Sequence, residues 1–294
     1  MKLLFDIGGT EIKAAVADEN DRLKGEVTHF DACSNGSSEV VFESQEKAVR
    51  HFLEEEGEIP KAIGMAFPGP FDYDLGVSYM KGLGKYEHIY GMSVPDELKK
   101  RIPEIKEVPF YFLHDIEAFA LGAYFKGESR GQGKTMFVCI GTGTGTAFMK
   151  DGKVLKDCED NAPKNGWIYD DPFKDGKIDE YISARGLKRI AKTVTGQELT
   201  GLQLFELCEA GNEAALKTYG LFGEDVAQAL SRYITDFRPD NLVLGGQISK
   251  SFGYFGEDLK KLCDGMNIKI ELIRNTSVMS MMGLLEKIRR AENA

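Results

Sequence analysis

The sequence predicts an α/β protein of two domains built on a duplicated unit, and three observations carry that expectation. The chain has 294 residues, beyond the length at which a single hydrophobic core usually stops growing. A short apolar strand that ends in glycines and leads into an alternating apolar run occurs twice, as DIGGTEIKAAVAD from residue 6 and IGTGTGTAFMKDG from residue 140. After each, the apolar spacing switches between strand and helix periods, as α/β crossovers require. Aligning Ile7-Gly8 with Ile140-Gly141 gives a repeat of 140 − 7 = 133 residues.

In order, LLFDIG reads as a strand broken by Gly8-Gly9. IKAAVAD alternates, with Ile12, Ala14 and Val16 on one face; DEND is a turn and RLKGEVTHFDA a third strand. The glycine turn therefore joins strand to strand. FESQEKAVRHFLEEEGE has helical spacing, with Ala48, Val49 and Phe52 among its apolar positions. AIGMAF is a strand that stops at Pro68-Gly69-Pro70, and Ser93-Val94-Pro95-Asp96 opens a helix with a capping residue and a proline in the first turn. VPFYFL is a strand and IEAFALGAYFKG a helix, which puts His114-Asp115 at their junction. The second half repeats the scheme: TMFVCI is a strand, GTGTGT its turn, and AFMKDG and KVLKD the next strands. Residues 157–176 are polar and contain the single tryptophan, Trp167. Helical spacing then covers 178–194, 202–210 and 212–236. NLVLGG is a strand stopped by Gly245-Gly246, followed by a helix to Gly265, the strand IKIELI and a final helix from Met279.

Composition narrows the function. A hydrophobic content of 42% supports packed cores and opposes disorder. The formal net charge of -10 repels phosphate backbones and anionic bilayers, so neither nucleic acid nor membrane is expected as a partner. No apolar run approaches a bilayer span, and MKLLFDIGG is too short in its apolar part for a signal peptide. Five cysteines without a CxxC pair read as reduced thiols of a cytoplasmic protein, and with only four histidines a zinc site lacks ligands.

Glycine turns let backbone N–H groups approach phosphate oxygens, because a missing Cβ leaves room for them. Each turn alone is equally well a tight hairpin. Neither fits a Walker loop, which needs GxxxxGK[ST] before a helix, nor the dinucleotide fingerprint GxGxxG between strand and helix. Two turns, with Thr10, Thr142 and Thr144 beside the glycines, suit a nucleotide whose phosphates are gripped from two sides.

DIGGT at residue 6, the turn at 68–70, the aspartate at 115, GTGTG at 141–145 and LGG at 244–246 occur in an order that resembles the ROK family of the actin-like sugar-kinase superfamily. The resemblance covers nearly the whole chain. It implies two ribonuclease-H-like α/β domains with a central cleft, residues 1–115 with 278–294 forming one and 116–277 the other. It also implies an ATP-dependent, Mg²⁺-requiring carbohydrate kinase that phosphorylates a hydroxyl, the 6-OH of a hexose or hexose derivative, and a possible homodimer. Under it, Asp6 organises Mg²⁺ through water. Gly8, Gly9 and Thr10 form the first phosphate turn, and Gly141, Thr142, Gly143, Thr144 and Gly145 the second. Gly245 and Gly246 lie against adenosine, and Pro68, Gly69 and His114 border the sugar. Asp115 is the base that accepts the hydroxyl proton. Structural readings stand beside these: Asp115 as a helix cap and Gly245-Gly246 as a strand stop that lets a helix pack.

The pattern breaks on the sugar side. The family's Asn-Asp is here His114-Asp115, and its ExGH motif is replaced by Lys164-Asn165-Gly166-Trp167. The family's cysteine cluster is missing from GKIDEYISARGL at 176–187, so no zinc is expected. Within that stretch Asp179 aligns with a sugar-contacting glutamate, with Glu180 one step away. Trp167 is a candidate face for a sugar ring or acetyl methyl, or else packs a loop onto the core. Lys164 is a candidate for an anionic substituent, or is simply solvated. Lost catalysis would instead leave a sugar- or nucleotide-responsive regulatory protein of the same fold, and an actin-like filament ATPase is a weaker third reading. A DNA-binding repressor would need a helix-turn-helix module, which is not expected ahead of the first strand.

Overall fold

The computed structural model describes residues 1–127 and 133–293. The chain opens with strands β1 (Lys2–Ile7), β2 (Glu11–Ala17) and β3 (Leu23–Asp31), then helix α1 (Ser38–Glu56) and strand β4 (Ala62–Phe67). A small hairpin, β5 (Phe71–Asp72) with β6 (Val77–Ser78), precedes α2 (Val94–Arg101), β7 (Phe110–His114) and α3 (Asp115–Lys126). Next come β8 (Lys134–Ile140), β9 (Thr144–Lys150) and β10 (Lys153–Val154), then the hairpin β11 (Pro172–Phe173) with β12 (Gly176–Lys177). Helices α4 (Ile178–Tyr181), α5 (Ala184–Thr195), α6 (Gly201–Glu209) and α7 (Glu213–Phe237) lead to β13 (Asn241–Gly245). Helices α8 (Phe252–Phe255) and α9 (Glu257–Gly265), β14 (Lys269–Leu272) and α10 (Thr276–Glu292) complete it.

These elements form two compact units, residues 1–122 with 277–294 and residues 123–276. The division falls inside α3, whereas the sequence reading put it at Asp115. Each unit holds a five-stranded sheet, ordered β3-β2-β1-β4-β7 in the first and β10-β9-β8-β13-β14 in the second. The two orders are the same when only the five strands of each sheet are counted, so the duplication seen as a 133-residue offset is a duplication of topology. In both, the first three strands run antiparallel and the remaining two join parallel to the first.

Local chemistry sets the boundaries. β1 and β4 are central strands buried on both faces, which explains their nearly unbroken apolar runs. Edge strand β3 carries Lys24 and Glu26 outward. Ser37 caps α1 by accepting from the Val40 amide, and Gly57 ends it in the left-handed region at φ 65°. Ser93 caps α2 through the Asp96 amide. In the first unit α1 lays Val41, Phe42, Val49 and Phe52 on Leu3, Phe5 and Ile7 of β1. Helix α10 covers β4, with Leu284 and Ile288 close over Gly64. In the second unit α7 buries Tyr219, Phe222, Val226 and Leu230 among Val138, Phe148 and Leu244. Helices α3 and α10 cross at backbone contact: a Cβ on Gly122 would lie 1.8 Å from the Met279 carbonyl oxygen, and one on Gly283 1.9 Å from that of Ala118.

Four details differ from the sequence reading. The helix expected over 178–194 is two helices, because the Ser183 backbone is extended (φ -135°, ψ -178°) and its hydroxyl caps α5 at Arg185. The GTGTGT turn is shorter than its motif, since β9 already begins at Thr144. The third strand of the second unit, expected over KVLKD, is only two residues long. The last helix starts at Thr276, three residues before Met279. Among the described residues no helix is long and apolar enough to cross a membrane.

Candidate active site

In the first unit, parallel strands β1, β4 and β7 end side by side, with Asp6 beside Ala66 and Phe67 beside His114 in register. Their carboxyl ends therefore bring together Asp6, Pro68-Gly69 and His114-Asp115, at the kind of strand-end position where ligands bind in α/β sheets. The first glycine turn closes the β1–β2 hairpin through the Gly8 amide, which donates to the Glu11 carbonyl at 2.8 Å. A Cβ on Gly8 would sit 2.9 Å from that same oxygen, so the hairpin itself demands glycine there. Gly9 and Thr10 are exposed at the tip. The turn is braced from outside: the Tyr86 hydroxyl donates to the Gly8 carbonyl at 2.7 Å and the Ser34 hydroxyl to that of Gly9.

Asp115 opens α3. Its Oδ1 lies 2.8 Å from His114 Nδ1 and accepts from the Ile116 amide at 2.6 Å, while 43% of the side chain stays exposed. The helix-end reading is thus met in part by one oxygen, which leaves the other for chemistry. Burial pushes the Asp115 carboxyl up, but the adjoining His114, then Lys85 and the Ile116 amide, outweigh it and hold the carboxyl below its ordinary range. Burial likewise opposes a charge on His114, yet Asp115 beside it raises the imidazole above its ordinary range. The two shifts are opposite faces of one ion pair. His114 is fixed from its other side: its ring is 5.8 Å from that of Tyr73, and a Cβ on Gly69 would lie 3.3 Å from His114 Cδ2. Tyr73 in turn donates to the Phe67 carbonyl at 3.2 Å.

Asp6 is partly buried, and burial raises its carboxyl; the Ser277 hydroxyl opposes the rise, and the negative charge of Asp115 adds to it. A carboxylate so placed, with a second acidic group near it, suits a cation. Among the described residues no group of three or more His, Cys, Asp or Glu side chains is arranged to hold a metal. A Mg²⁺ ion does not need one, since it is commonly held by one or two carboxylates with substrate phosphates and water. Asp6 fits that donor set.

In the second unit the turn runs over Gly141–Gly143, with the Gly141 amide donating to the Gly143 carbonyl at 2.9 Å. Thr142 and Gly143 are exposed. Thr144 is not: its hydroxyl, counted as a phosphate donor in the sequence reading, is turned inward by strand alternation and donates to the Ile182 carbonyl at 2.7 Å. Asp179, aligned with a sugar-contacting acid, holds this turn. One carboxylate oxygen accepts from the Thr144 amide at 2.6 Å and the other pairs with Arg185. It borders a concavity of about 630 Å³ also lined by Tyr169, Lys177 and Arg189. Gly145 lies within β9. Gly245 ends β13 beside Cys139 of β8, and Gly246 follows with its Cα against the Ile140 backbone. Trp167 packs at 6.2 Å from the Tyr169 ring, and the Tyr169 carbonyl accepts from the Asp179 amide at 3.0 Å. Gly166 is tied to β9 by the Thr146 hydroxyl, while Lys164 is exposed.

Gly141 separates the two readings of the turn. Added atoms there would meet open space, so the fold does not require glycine, whereas close approach of a phosphate would. Gly141→Ala is expected to leave the melting temperature unchanged and weaken AMPPNP binding by about tenfold or more, the cost of losing one charge-assisted hydrogen bond. Unchanged binding by calorimetry would leave only the hairpin role.

Sequence reasoning missed Lys85, Tyr86, Ser34 and Ser277. The first two lie in KGLGKYE, where glycines erase any periodicity, and the serines belong to no motif.

Two sheets of one topology, each with a glycine turn on its first hairpin, define a protein of the actin and hexokinase fold class. The sequence model of the ROK family matches residues 3–272. The chain belongs to that family. It is 26% identical over 281 residues to the N-acetyl-D-glucosamine kinase of Haemophilus influenzae (strain 86-028NP), with 87% of each chain covered. Among solved structures, the ROK hexokinase from Thermus thermophilus matches with a TM-score of 0.75 at 22% identity, covering 99% of both chains. The ROK family glucokinase from Streptomyces griseus, in complex with glucose and AMPPNP, matches at 0.74 and 17% identity, covering 98% of this chain and 99% of the other.

Proposed function

We propose that this protein is an ATP-dependent sugar kinase that transfers the γ-phosphate to a hydroxyl, the 6-OH, of a hexose or hexose derivative. The observation that carries the reading is the half-exposed Asp115 carboxylate at the end of β7, held ionised by His114 and set one strand beyond Pro68-Gly69. In this reading Asp115 accepts the proton of the attacking hydroxyl as it turns acidic. His114 keeps the carboxylate charged and oriented, and Gly69 brings the 68–70 turn against it. Each glycine turn offers backbone amides to phosphate oxygens, Gly9 and Thr10 in one unit and Thr142 and Gly143 in the other. Mg²⁺, when bound near Asp6, neutralises phosphate charge and so favours transfer.

The acceptor follows less directly, because the residues that replace the family's sugar contacts differ in hydrogen bonding. The sugars in the relatives' names, with one amino sugar added, supply the panel. ADP release should be measured with glucose, mannose, fructose, glucosamine, N-acetylglucosamine and N-acetylmannosamine, with ATP and Mg²⁺. Stimulation by one or a few of these over the sugar-free rate is the expected result. Equal rates with and without every sugar would remove the kinase reading and favour a binding protein.

A further inference from the structure

Lys85 is a cation set over the first glycine turn, and its charge reaches the proposed base. Its Cδ lies 3.5 Å from where a Cβ on Gly9 would be, so the stem of the side chain runs across the tip of the turn. The residue is half-buried. Its backbone is fixed by neighbours: the Tyr86 amide donates to the Ser34 carbonyl at 2.7 Å, and the Tyr86 hydroxyl to the Gly8 carbonyl at 2.7 Å. On the other side the Gly84 amide donates to Glu87 Oε1 at 2.8 Å. Gly84 (φ 67°) and Tyr86 (φ 55°) both adopt left-handed backbone, an arrangement that projects Lys85 at the apex of a tight loop. The charge reaches the site, for it lowers the proton affinity of both Asp115 and His114. Among the described residues no carboxylate forms an ion pair with it.

We propose that Lys85 is a catalytic residue whose ammonium contacts the phosphoryl group during transfer, a role that rests on the kinase reading above. The sugar oxygen forms a bond to the γ-phosphorus while the bond to the β,γ-bridging oxygen breaks. The hydroxyl proton passes to Asp115, and the bridging oxygen leaves with the electron pair as ADP. Negative charge is spread over the equatorial oxygens at that moment. A compact, strongly hydrated ammonium on a flexible stem, partly stripped of water against the turn, stabilises such charge without needing a fixed fork geometry. With its stem over Gly9 and its charge felt at both Asp115 and His114, the ammonium is near both the turn and the proposed base.

The test uses the full chain, ATP, Mg²⁺ and the best sugar of the panel, with Lys85→Met and Lys85→Arg. Lys85→Met should lower kcat by about 10²–10³-fold, the usual cost of one donor to the transition state. Its sugar KM and melting temperature should stay near those of the wild type, and Lys85→Arg should recover part of kcat. A Lys85→Met enzyme with wild-type kcat, or one changed only in sugar KM, overturns the assignment. So does loss of kcat that Lys85→Arg shares in full together with a fall in melting temperature, because that pattern marks a structural loop. A wild-type chain with no sugar-dependent ADP release removes the kinase reading itself, and this assignment with it. Wild-type turnover with an unaffected Lys85→Met removes this assignment alone.

Discussion

Asp115→Asn is expected to lower kcat by about 10²–10⁴-fold, the range that a positioned general base supplies. The substitution is nearly isosteric, and an asparagine Oδ1 can still accept from the Ile116 amide that now sits 2.6 Å from the aspartate. The start of α3 should therefore survive, and the melting temperature with it. What disappears is the negative charge. His114 loses the partner that raises its proton affinity, and the attacking hydroxyl loses its acceptor. AMPPNP binding should be within about twofold of the wild type, because the phosphate turns are built from other residues. Steady-state turnover and calorimetry on the same preparation check both halves. A variant with kcat within about threefold of the wild type would make Asp115 a helix-end residue and nothing more.

Gly246→Ala should be the most destabilising single methyl addition to the second unit's turns. Gly246 has φ 91°, where a side chain is strained, and its Cβ would lie 2.2 Å from the Ile140 carbonyl oxygen and 2.8 Å from the Ile140 nitrogen. Both contacts are backbone atoms, so no side chain can swing aside. Strain of about 1–2 kcal/mol and overpacking of about 1–3 kcal/mol together predict a fall in melting temperature of about 4–20 °C at ~2–4 °C per kcal/mol. Ile140 leads directly into the Gly141–Gly143 turn, so the displacement should also weaken nucleotide binding. Gly253→Ala is the control: nothing lies within 4 Å of the new methyl, and stability should hold. Equal melting temperatures for the two variants would contradict the close packing of β13 on β8.

The packing at Gly246 also shows what sequence could and could not reveal. Two glycines after NLVL were equally readable as a nucleotide surface or as a strand stop, and Gly246 is in any case required by its close approach to the Ile140 backbone. The fold was legible because both sheets depend on patterns a chain displays openly: buried strands without polar interruptions, glycine hairpins and a repeat at constant offset. The position of Asp115, the proposed base, was legible because it falls at a junction where strand and helix periods meet. Thr144 misled because its motif, GTGTGT, hides the point where the strand begins and alternation turns the hydroxyl inward. Asp179 shows a different limit. The family resemblance points to a sugar-facing role, and its carboxylate is also engaged by the Thr144 amide and Arg185, partners 35 and 6 residues away that no local pattern connects. Lys85 left no signal at all, since a lysine in a glycine-rich loop has neither period nor partner in sequence.

The central claim, that a phosphoryl group passes from ATP to a sugar hydroxyl, is tested most directly by following the reaction with ³¹P NMR. With the sugar that stimulates ADP release, the γ-phosphate signal should be replaced by one phosphomonoester signal in equal amount to the ADP formed, with no inorganic phosphate. ADP accompanied by inorganic phosphate alone, whatever sugar is present, would show hydrolysis in place of transfer and contradict the account.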